Sequence, residues 1–313
     1  MEIKYSYENN GETFMRLKIG GQYYTIRGYS RAGLKTCILV DEFNVTFDMG
    51  YSNDRAFSYD NKLISHGHND HIGSLHNDHC ARKLFNIHKE KLYIMPKQCI
   101  KPFKLIASAL SELNCGRSGD NIKIFDNLLL TNIISSEDCS HEYTPLINTT
   151  EYAVRSFLMD HKIKSYGYII YRRSKKLKPE YQNKTSKEIV QIKNVLKEKM
   201  AIHEISEMLV DVCYTPLIGY TGDTTVNGVI ENDDFLRVPL LLMECTGFNE
   251  TDLTDTIDGK HIHLNNLIEN ADLFKNDKII LFHFSQQYKK YEDINEYTKL
   301  LPETIKTKVI YFF

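Results

Sequence analysis

Ser65-His66-Gly67-His68-Asn69-Asp70-His71 is the stretch of sequence that decides the fold, and it lies where an apolar, strand-like segment ends and a segment with helical spacing begins. His66 and His68 are two residues apart, so in an extended segment both imidazoles leave the same side of the chain and can bind one metal ion. Asp70 and His71 enter a helical turn and point elsewhere, which suits a second ion a few ångströms away. The motif therefore predicts a metal centre at a strand-to-helix junction.

The donor atoms of this motif indicate which metal it binds. Neutral imidazole nitrogens with one hard carboxylate suit zinc, with manganese or iron as weaker fits, whereas calcium would need several more oxygen ligands. The alternative interpretation is a histidine-rich helix start without a metal. Because a His-x-His-x-Asp-His string arises by chance in roughly one such sequence in a thousand, metal binding is the favoured hypothesis.

Apolar and polar residues alternate over the first fifty positions, which predicts antiparallel hairpins joined at Gly20-Gly21. Beyond the histidine motif, strand-like and helix-like segments follow one another. Strands are predicted at Phe14–Ile19, Tyr23–Ile26, Thr36–Val40, Val45–Met49, Leu92–Met95, Ile122–Phe125, Tyr152–Leu158, Gly167–Tyr171, Leu209–Val212, Ile218–Thr221, Leu240–Glu244, Lys278–Phe282 and Lys308–Phe312. Helices are predicted at His71–Phe85, Gln98–Leu113, Ser186–Met200, Asn265–Phe274 and Tyr288–Leu301. The pattern favours an α/β fold of two mainly antiparallel sheets with helices outside them.

Composition is that of an ordinary globular protein. The 313 residues are 42% hydrophobic and 26% charged, which excludes collagen-like, mucin-like and wholly disordered chains. The first residues lack the features of a secretion signal, and the apolar runs are too short to cross a bilayer, so we expect a soluble intracellular protein with no membrane partner. Seven cysteines without a Cys-x-x-Cys pair indicate reduced core residues, not a disulfide framework.

Charge is unevenly distributed along the chain. The overall net charge is −2, yet positions 172–199 hold ten Lys or Arg residues against three Glu, a local net charge of +7. A solvated charged helix is the usual explanation of such a run. Phosphate binding is the alternative, because it needs cations concentrated on one surface and weakens as salt rises.

The histidine motif resembles the defining motif of the metallo-β-lactamase superfamily, and later segments narrow the resemblance to tRNase Z in its short form, the tRNA 3′-processing endoribonuclease. The resemblance runs from about Thr36 to Tyr291. The further segments that carry it are Asp160-His161, Ser165-Tyr166-Gly167-Tyr168, Tyr220-Thr221-Gly222-Asp223-Thr224, Leu242-Met243-Glu244-Cys245-Thr246, His261-Ile262-His263-Leu264 and Phe282-His283-Phe284-Ser285.

The resemblance implies a metallo-β-lactamase-type αβ/βα sandwich in a single domain over residues 1–313, with two zinc ions per chain and manganese as an alternative. One zinc would be held by three histidines: His66, His68 and His161. The other would be held by Asp70, His71 and His283. Asp223 would bridge the two ions.

Proton delivery is also implied by the resemblance, which counts Asp70, His261 and Glu244 as catalytic. His261 would protonate the leaving oxygen of the scissile phosphate while Glu244 orients its ring. His263 is the alternative general acid, because the family pattern Gly-His-Ser/Thr is interrupted here by Lys260.

In tRNase Z an insertion between the third histidine ligand and the bridging aspartate clasps the tRNA elbow, and here the basic arm at about 172–205 resembles it. The cations singled out for RNA binding are Arg172, Arg173, Lys175, Lys176 and Lys178. The family also has Arg-Tyr shortly after the last histidine ligand, where this chain has Gln286-Gln287-Tyr288, so one cationic contact is missing. A homodimer in the cytoplasm or nucleus is expected by the same resemblance.

The function expected from these features is that of a zinc-dependent endoribonuclease. It would remove the 3′ trailer from precursor tRNA, leaving a 3′-hydroxyl on the tRNA and a 5′-phosphate on the trailer. Two alternatives stay open: a metallo-β-lactamase-fold hydrolase of another phosphodiester or a thioester, since the same centre would serve both, and a catalytically inactive RNA-binding relative.

Overall fold

Two β-sheets pack face to face in the computed structural model, which describes residues 4–7, 12–78, 89–115, 131–197 and 200–313. The first sheet has the order β1 to β8, with strands at Lys4–Tyr7, Thr13–Ile19, Gln22–Arg31, Lys35–Val40, Val45–Phe47, Asn61–Leu63, Lys91–Met95 and Thr131–Ser135. Neighbouring strands are antiparallel from β1 to β5 and parallel from β5 to β8. The predicted turn at Gly20-Gly21 joins β2 to β3, and both glycines have positive φ, 54° and 84°, as a tight two-residue hairpin turn requires.

The second sheet has the order β15 to β9, with strands β9 to β15 at Thr144–Pro145, Tyr152–Met159, Ser165–Leu177, Val210–Tyr220, Leu240–Glu244, Lys278–Phe282 and Val309–Tyr311. It is antiparallel from β9 to β12 and parallel from β12 to β15. Long antiparallel ladders and short parallel ladders therefore occur in both sheets. The parallel strands end at the same edge of the sandwich, and their loops can meet there.

Helices α1 to α11 lie at Asn69–Ile72, Lys97–Cys115, Ser136–Cys139, Ser186–Lys197, Ile202–Leu209, Val226–Ile230, Asp233–Arg237, Leu253–Asp258, Leu264–Glu269, Asn295–Thr298 and Glu303–Lys306. Three apolar clusters separate the layers. One fills the space between the two sheets, one lies between the first sheet and α2, and one lies between the second sheet and helices α6, α7, α9 and α11. These layers confirm the predicted αβ/βα sandwich.

An aromatic stack ties the two sheets together at the edge where the parallel strands end. The ring of Tyr220 in β12 stacks on Phe47 of β5 at 4.6 Å and on Phe282 of β14 at 5.1 Å. All three side chains are fully buried. Stacked aromatic pairs of this kind add stability beyond the area they bury, so the stack gives the loops above it a rigid floor.

Several predicted elements need correction. The segments Leu209–Val212 and Ile218–Thr221 belong to one long strand, β12. No long helix covers Tyr288–Leu301: the structure has a 3₁₀ turn at Tyr291–Asp293 followed by α10, because the side chain of Asp293 accepts the backbone N–H groups of Lys289 and Lys290 and closes a turn there.

Two further predicted helices are shorter than expected, and other predictions lie outside the described residues. The helix expected at Asn265–Phe274 is α9 followed by a 3₁₀ turn at Ala271–Leu273. The helix predicted at His71–Phe85 starts within α1, which ends at Ile72 before a turn at 73–74. Its positions 79–85 lie outside the described residues, as does the whole strand predicted at Ile122–Phe125.

The basic segment forms a projecting ribbon. Strand β11 leaves its pairing with β10 after Arg172, and β12 joins β13 from Ile218 onwards, so among the described strands Arg173–Leu177 is paired in register with Val210–Tyr214 and with no third strand. Helices α4 and α5 connect the far ends of this ribbon. The cations at 172–176 therefore lie in a strand, and the interpretation as one solvated charged helix is wrong for them.

Two observations bear on the expected environment of the chain. In the described ranges no helix combines the length and the hydropathy needed to span a membrane. The five cysteines whose side chains are described, Cys37, Cys99, Cys139, Cys213 and Cys245, are all free thiols, and four of them are buried. Burial raises the pKa of the Cys99 thiol to about 11, so this group stays protonated and inert at neutral pH.

Candidate metal centre

The predicted ligands gather at one edge of the sandwich, past the carboxyl ends of strands from both sheets. The motif at 65–71 follows β6 of the first sheet. Three others follow the ends of β10, β12 and β14 of the second sheet: His161, Asp223 and His283. His283 has φ of 65°, a left-handed conformation that histidine tolerates better than most residues and that turns the chain directly after β14.

A first cluster of ligand atoms contains three histidines. His68 Nδ1 lies 3.0 Å from His66 Nε2 and 3.3 Å from His161 Nε2. Asp223 Oδ2 lies 3.7 Å from His66 Nε2. These four side chains offer ligand atoms that all lie within 4.8 Å of one another, which is the spacing expected of groups around one ion.

A second cluster adjoins the first. His71 Nε2 and His283 Nε2 are 3.2 Å apart, and Asp70 Oδ2 lies 3.5 Å from each of them. Asp223 Oδ2 lies 3.3 Å from His71 Nε2 and 3.4 Å from His283 Nε2. One carboxylate oxygen of Asp223 therefore faces both clusters, and the structure brings together all seven ligands expected from the sequence.

Two features of this arrangement fit a bound cation. Among the residues that the structure describes, Asp223 Oδ1 is buried without a hydrogen-bond partner, and leaving a buried charged oxygen unpaired is costly. The ring nitrogens that face one another at 3.0–3.3 Å can direct their lone pairs to one positive ion. The two clusters therefore fit a divalent metal site.

Hydrogen bonds at the outer ring nitrogens orient three of the ligand imidazoles. His66 Nδ1 lies 2.9 Å from Ser65 Oγ, His71 Nδ1 lies 2.7 Å from Asp48 Oδ2, and His161 Nδ1 lies 3.1 Å from the Lys260 carbonyl oxygen. Each of these partners accepts the Nδ1 proton, so Nε2 keeps its lone pair for the cluster. Such partners set both the tautomer and the ring orientation of metal-binding histidines.

Asp48 is a functional residue that the sequence analysis missed. It is fully buried after β5, and its carboxylate accepts from Ser65 N–H at 2.7 Å, from the Ser65 hydroxyl and from the Tyr220 hydroxyl, as well as from His71. An acidic residue directly after the apolar strand Val45–Phe47 was the only local signal. Asp48 thereby anchors two ligand histidines to the floor of the site.

Burial and charge favour the metal-binding protonation states of His66, His161 and Asp223, but not that of His71. Burial lowers the pKa of His66 well below its usual value and also lowers that of His161. Burial alone would raise the pKa of Asp223, but His283 and His71 hold it well below the usual range. Burial likewise opposes a charge on His71, yet Asp223 and Asp48 raise the pKa of that ring well above its usual value. A cation bound at the second cluster would displace this proton.

His261 and Glu244 form a hydrogen-bonded pair beside the second cluster. His261 Nδ1 lies 2.9 Å from Glu244 Oε1 and 3.9 Å from Asp223 Oδ2. Burial opposes a charge on His261, but Glu244 outweighs it and raises the pKa of the ring to about 9. Glu244 is itself fully buried and accepts the Thr224 N–H at 2.9 Å. His261 can therefore carry a proton at neutral pH within reach of the metal clusters.

His263 is held apart from both clusters. Its Nδ1 accepts the Asn265 N–H at 3.1 Å and caps helix α9, while its Nε2 faces the Asn249 carbonyl oxygen at 3.0 Å and Asp252 at 3.2 Å. Both ring nitrogens are thus engaged inside the protein, and only 1% of the residue is exposed.

The additional lysine before His261 has a structural explanation. Lys260 has φ of 56°, and its carbonyl oxygen is the acceptor that holds His161 Nδ1. Its ammonium group forms a 2.6 Å ion pair with Asp160, which directly precedes His161. Lys260 therefore connects the loop of the proton-carrying histidine to the loop of a metal-ligand histidine.

The basic residues of the ribbon lie on two faces. Successive side chains of a strand point to opposite sides, so Arg173 and Lys175 share one face, opposite Tyr214 and Val212 of β12. Arg172 and Lys176 share the other face, where Arg172 donates to Gln22 and Lys176 lies opposite Asp211. Lys178 is half-buried at the end of the ribbon. The structure does not place these five cations on a single surface.

Known proteins resemble this chain in sequence and in fold. Over 289 residues the chain is 31% identical to tRNase Z TRZ1 of Arabidopsis thaliana, an alignment that covers 91% of this chain and 94% of that protein. It is 30% identical over 292 residues to the chloroplastic tRNase Z TRZ2 of the same plant, covering 92% of this chain and 74% of that protein. No family model matches the chain.

A solved structure supports the fold assignment independently. The crystal structure of the metallo-β-lactamase fold protein YhfI from Bacillus subtilis aligns with a TM-score of 0.52 at 11% identity and covers 91% of each chain. This likeness concerns the fold alone, whereas the two plant relatives share sequence with more than nine-tenths of this chain. The chain belongs to the tRNase Z family, metal-dependent endoribonucleases of the metallo-β-lactamase fold.

Proposed function

We propose that this protein is a zinc-dependent endoribonuclease that removes the 3′ trailer from precursor tRNA, leaving a 3′-hydroxyl on the tRNA and a 5′-phosphate on the trailer. Its plant relatives are named as tRNase Z enzymes. The observation that carries the proposal is the position of the His261–Glu244 pair beside two metal-ligand clusters that share Asp223. Hydrolysis of a phosphodiester needs both a cationic centre and a proton for the leaving oxygen.

Two zinc ions per chain would occupy the clusters, with manganese as an alternative. The first would be held by His66, His68 and His161, and the second by Asp70, His71 and His283, with Asp223 between them. When bound, such ions lower the pKa of an attacking water and stabilise the charge on the reacting phosphate. Imidazole nitrogens with few carboxylates suit zinc better than magnesium or calcium.

His261 is the proposed proton donor and Glu244 its positioning partner. Because Glu244 engages Nδ1, the Nε2 edge of His261 is left to face the substrate, and 19% of the side chain is exposed. With Glu244 holding the proton on Nδ1, the charged ring can give its Nε2 proton to the leaving 3′ oxygen of the tRNA, because the phosphate stays on the 5′ oxygen of the trailer. Asp70, which accepts the Gly33 N–H at 2.8 Å and faces the second cluster, would act as a ligand and accept a proton from the attacking water.

The ribbon is the proposed contact for the body of the tRNA, remote from the cut. The five proposed cations are Arg172, Arg173, Lys175, Lys176 and Lys178. The face that carries Arg173 and Lys175 is the better candidate, since on the other face Arg172 donates to Gln22 and Lys176 lies opposite Asp211. Phosphate binding favours the face with the higher positive potential.

We also propose that the chain is a single domain over residues 1–313 with the arm at about 172–205. We expect it to form a homodimer and to be located in the cytoplasm or the nucleus. Analytical ultracentrifugation of the purified chain tests the dimer directly.

The central test is an incubation of the purified chain and zinc with a 3′-extended precursor tRNA, followed by mapping of both product ends. We expect one cut at the trailer boundary, with a tRNA 3′-hydroxyl and a 5′-phosphorylated trailer. A mature tRNA without a trailer is the substrate control. If the RNA stayed intact while a small phosphodiester or a thioester was hydrolysed, the protein would be a hydrolase of another substrate class; binding without any cleavage would indicate an inactive relative.

Removal of the shared carboxylate should disturb both clusters together. We expect about two zinc ions per wild-type chain, because seven ligand residues exceed what one four-coordinate ion can use. Asp223→Ala should hold clearly less than one ion per chain, since a single side chain faces both positions. Elemental analysis of dialysed protein measures this, and Asp233→Ala, which removes an exposed acid outside the clusters, is the matched control. Full metal content in Asp223→Ala would contradict the bridge.

Loss of the proton donor should depend on the leaving group. His261→Ala should slow RNA cleavage by on the order of 10²–10⁴-fold at unchanged metal content, whereas an activated aryl phosphodiester, whose leaving group needs little protonation, should be affected far less. Single-turnover rates on the two substrates provide the comparison. His263→Asn, which keeps a side chain able to cap α9, should retain most of the RNA activity. Equal losses on both substrates would refute the assignment.

Neutralising one face of the ribbon should weaken tRNA binding in a salt-dependent way. In the double variant Arg173→Gln with Lys175→Gln we expect lower tRNA affinity and a slope of log affinity against log salt that flattens by about 0.9 per lost phosphate contact on duplex RNA. Cleavage at saturating tRNA should change little, because this binding is remote from the reacting phosphate.

The matched control for the ribbon is Arg172→Gln with Lys176→Gln, which removes the same charge from the opposite face. This variant should bind tRNA more nearly like the wild type. Equal losses in the two double variants would contradict the assignment to one face, and unchanged affinity and salt slope in both would rule out the ribbon as a tRNA contact.

A further inference from the structure

Two buried carboxylates beneath the metal centre each serve two histidines, one directly and one through a hydroxyl group. On the side of the first sheet, Asp48 accepts directly from His71 Nδ1. Ser65 Oγ donates to the same carboxylate at 2.8 Å and lies 2.9 Å from His66 Nδ1. The order of donors is therefore histidine to serine to aspartate.

The second carboxylate, Glu244, repeats this pattern on the side of the second sheet. It accepts directly from His261 Nδ1 at 2.9 Å. Thr246 Oγ1 donates to Glu244 Oε2 at 2.8 Å and lies 3.2 Å from His283 Nδ1. A metal-ligand histidine and the proposed proton donor are thus joined through one threonine hydroxyl and one glutamate.

The single proton of the threonine hydroxyl determines the direction of these bonds. A carboxylate can only accept, so the Thr246 hydroxyl donates to Glu244, and its oxygen must then accept from His283 Nδ1–H. The His283 carbonyl oxygen is a competing acceptor at 3.2 Å, but the bond to the ionised carboxylate is shorter and stronger. With the proton held on Nδ1, the Nε2 lone pair of His283 faces Asp70, His71 and the second cluster.

We propose that Thr246 is a positioning residue that sets the tautomer of His283 for metal binding and links that ligand to the His261–Glu244 pair. The inference rests on the proposed metal centre and goes beyond it, since it assigns a role to a residue that binds neither metal nor RNA. The backbone of Thr246 is held separately: its N–H donates to Ile262 and its carbonyl accepts from Ser285. Changes at the hydroxyl therefore leave these backbone bonds in place.

The test compares Thr246→Val, which keeps the branched shape and removes the hydroxyl, with Thr246→Ser, which keeps the hydroxyl and removes the methyl. Zinc affinity is measured on metal-free protein by competition with a chelator. Removal of a partner that orients a ligand histidine typically lowers metal affinity by 10–100-fold, so we expect a loss of about that size in Thr246→Val. Thr246→Ser should stay within about threefold of the wild type.

A second readout reports the tautomer itself. Nitrogen NMR of the histidine rings in metal-free protein should show His283 protonated at Nδ1 in the wild type and in Thr246→Ser, and a shift towards the other tautomer in Thr246→Val. Thermal unfolding checks that each variant is folded. Thr246→Ala, which removes the same hydroxyl with less bulk against Glu244, replaces Thr246→Val if that variant does not fold.

Wild-type zinc affinity and an unchanged His283 tautomer in the variant without a hydroxyl would overturn the proposal. Equal losses in Thr246→Val and Thr246→Ser would also overturn it, since the methyl group would then be what matters. Failure of the proposed function would look different: the wild type would leave precursor tRNA uncut, while the affinities and ring tautomers of the variants would still differ as expected.

Discussion

Three ligand nitrogens from two sheets converge on one carboxylate oxygen, and the arrangement of the sandwich follows from this convergence. Asp223 Oδ2 lies within 3.7 Å of the Nε2 atoms of His66, His71 and His283. The first two histidines follow a strand of the first sheet, whereas Asp223 and His283 follow strands of the second. The two sheets must therefore pack so that their parallel strands end at the same edge of the sandwich. The stack of Phe47, Tyr220 and Phe282 holds the two sheets in this alignment.

The two buried carboxylates beneath the site are stable because each is part of a complete hydrogen-bond network. Asp48 and Glu244 are both fully buried, and each is surrounded by hydrogen-bond donors from the backbone, from a hydroxyl group and from a histidine. In a low-dielectric interior such satisfied networks are strong and rigid, whereas a missing partner is costly. The ligands are consequently oriented before any metal or substrate arrives, which is the condition for precise positioning at a reacting phosphate.

The ribbon and the candidate metal centre lie in separate parts of the molecule. The two ligand clusters lie on short loops above the buried strands, while the ribbon formed by Arg173–Leu177 and Val210–Tyr214 extends beyond the sheet, with its two strands paired to each other. In the proposed function, contacts on the ribbon contribute affinity for the body of a long substrate, and the centre acts on one phosphate. A small-molecule hydrolase would have no use for such an extension. Lys260 and Asp160 add a further link, between the loops of His261 and His161.

The amino-acid sequence by itself was enough to predict four of the candidate ligand residues and most of the strands. The spacing of His66, His68, Asp70 and His71 acts over one strand end and one helical turn, so it could be interpreted locally, and strands such as Leu240–Glu244 and Lys278–Phe282 have the predicted bounds. The remaining ligands, His161, Asp223 and His283, were found through family resemblance, because no local pattern connects residues so far apart in the chain.

Only the tertiary structure decided which polar groups meet. Asp48 reaches Tyr220, and His161 reaches the carbonyl of Lys260, across 172 and 99 positions of the chain, whereas sequence periodicity reports only on neighbours within a few residues. The roles of Thr246 and Ser65 depend in the same way on hydrogen-bond distances that no spacing encodes. The sequence alone does not distinguish His261 from His263, two histidines two positions apart. In the structure the His261 ring faces Glu244 and Asp223, whereas the His263 ring caps a helix. The division of the basic residues between two faces likewise follows from strand pairing, which a count of charges along the sequence cannot predict.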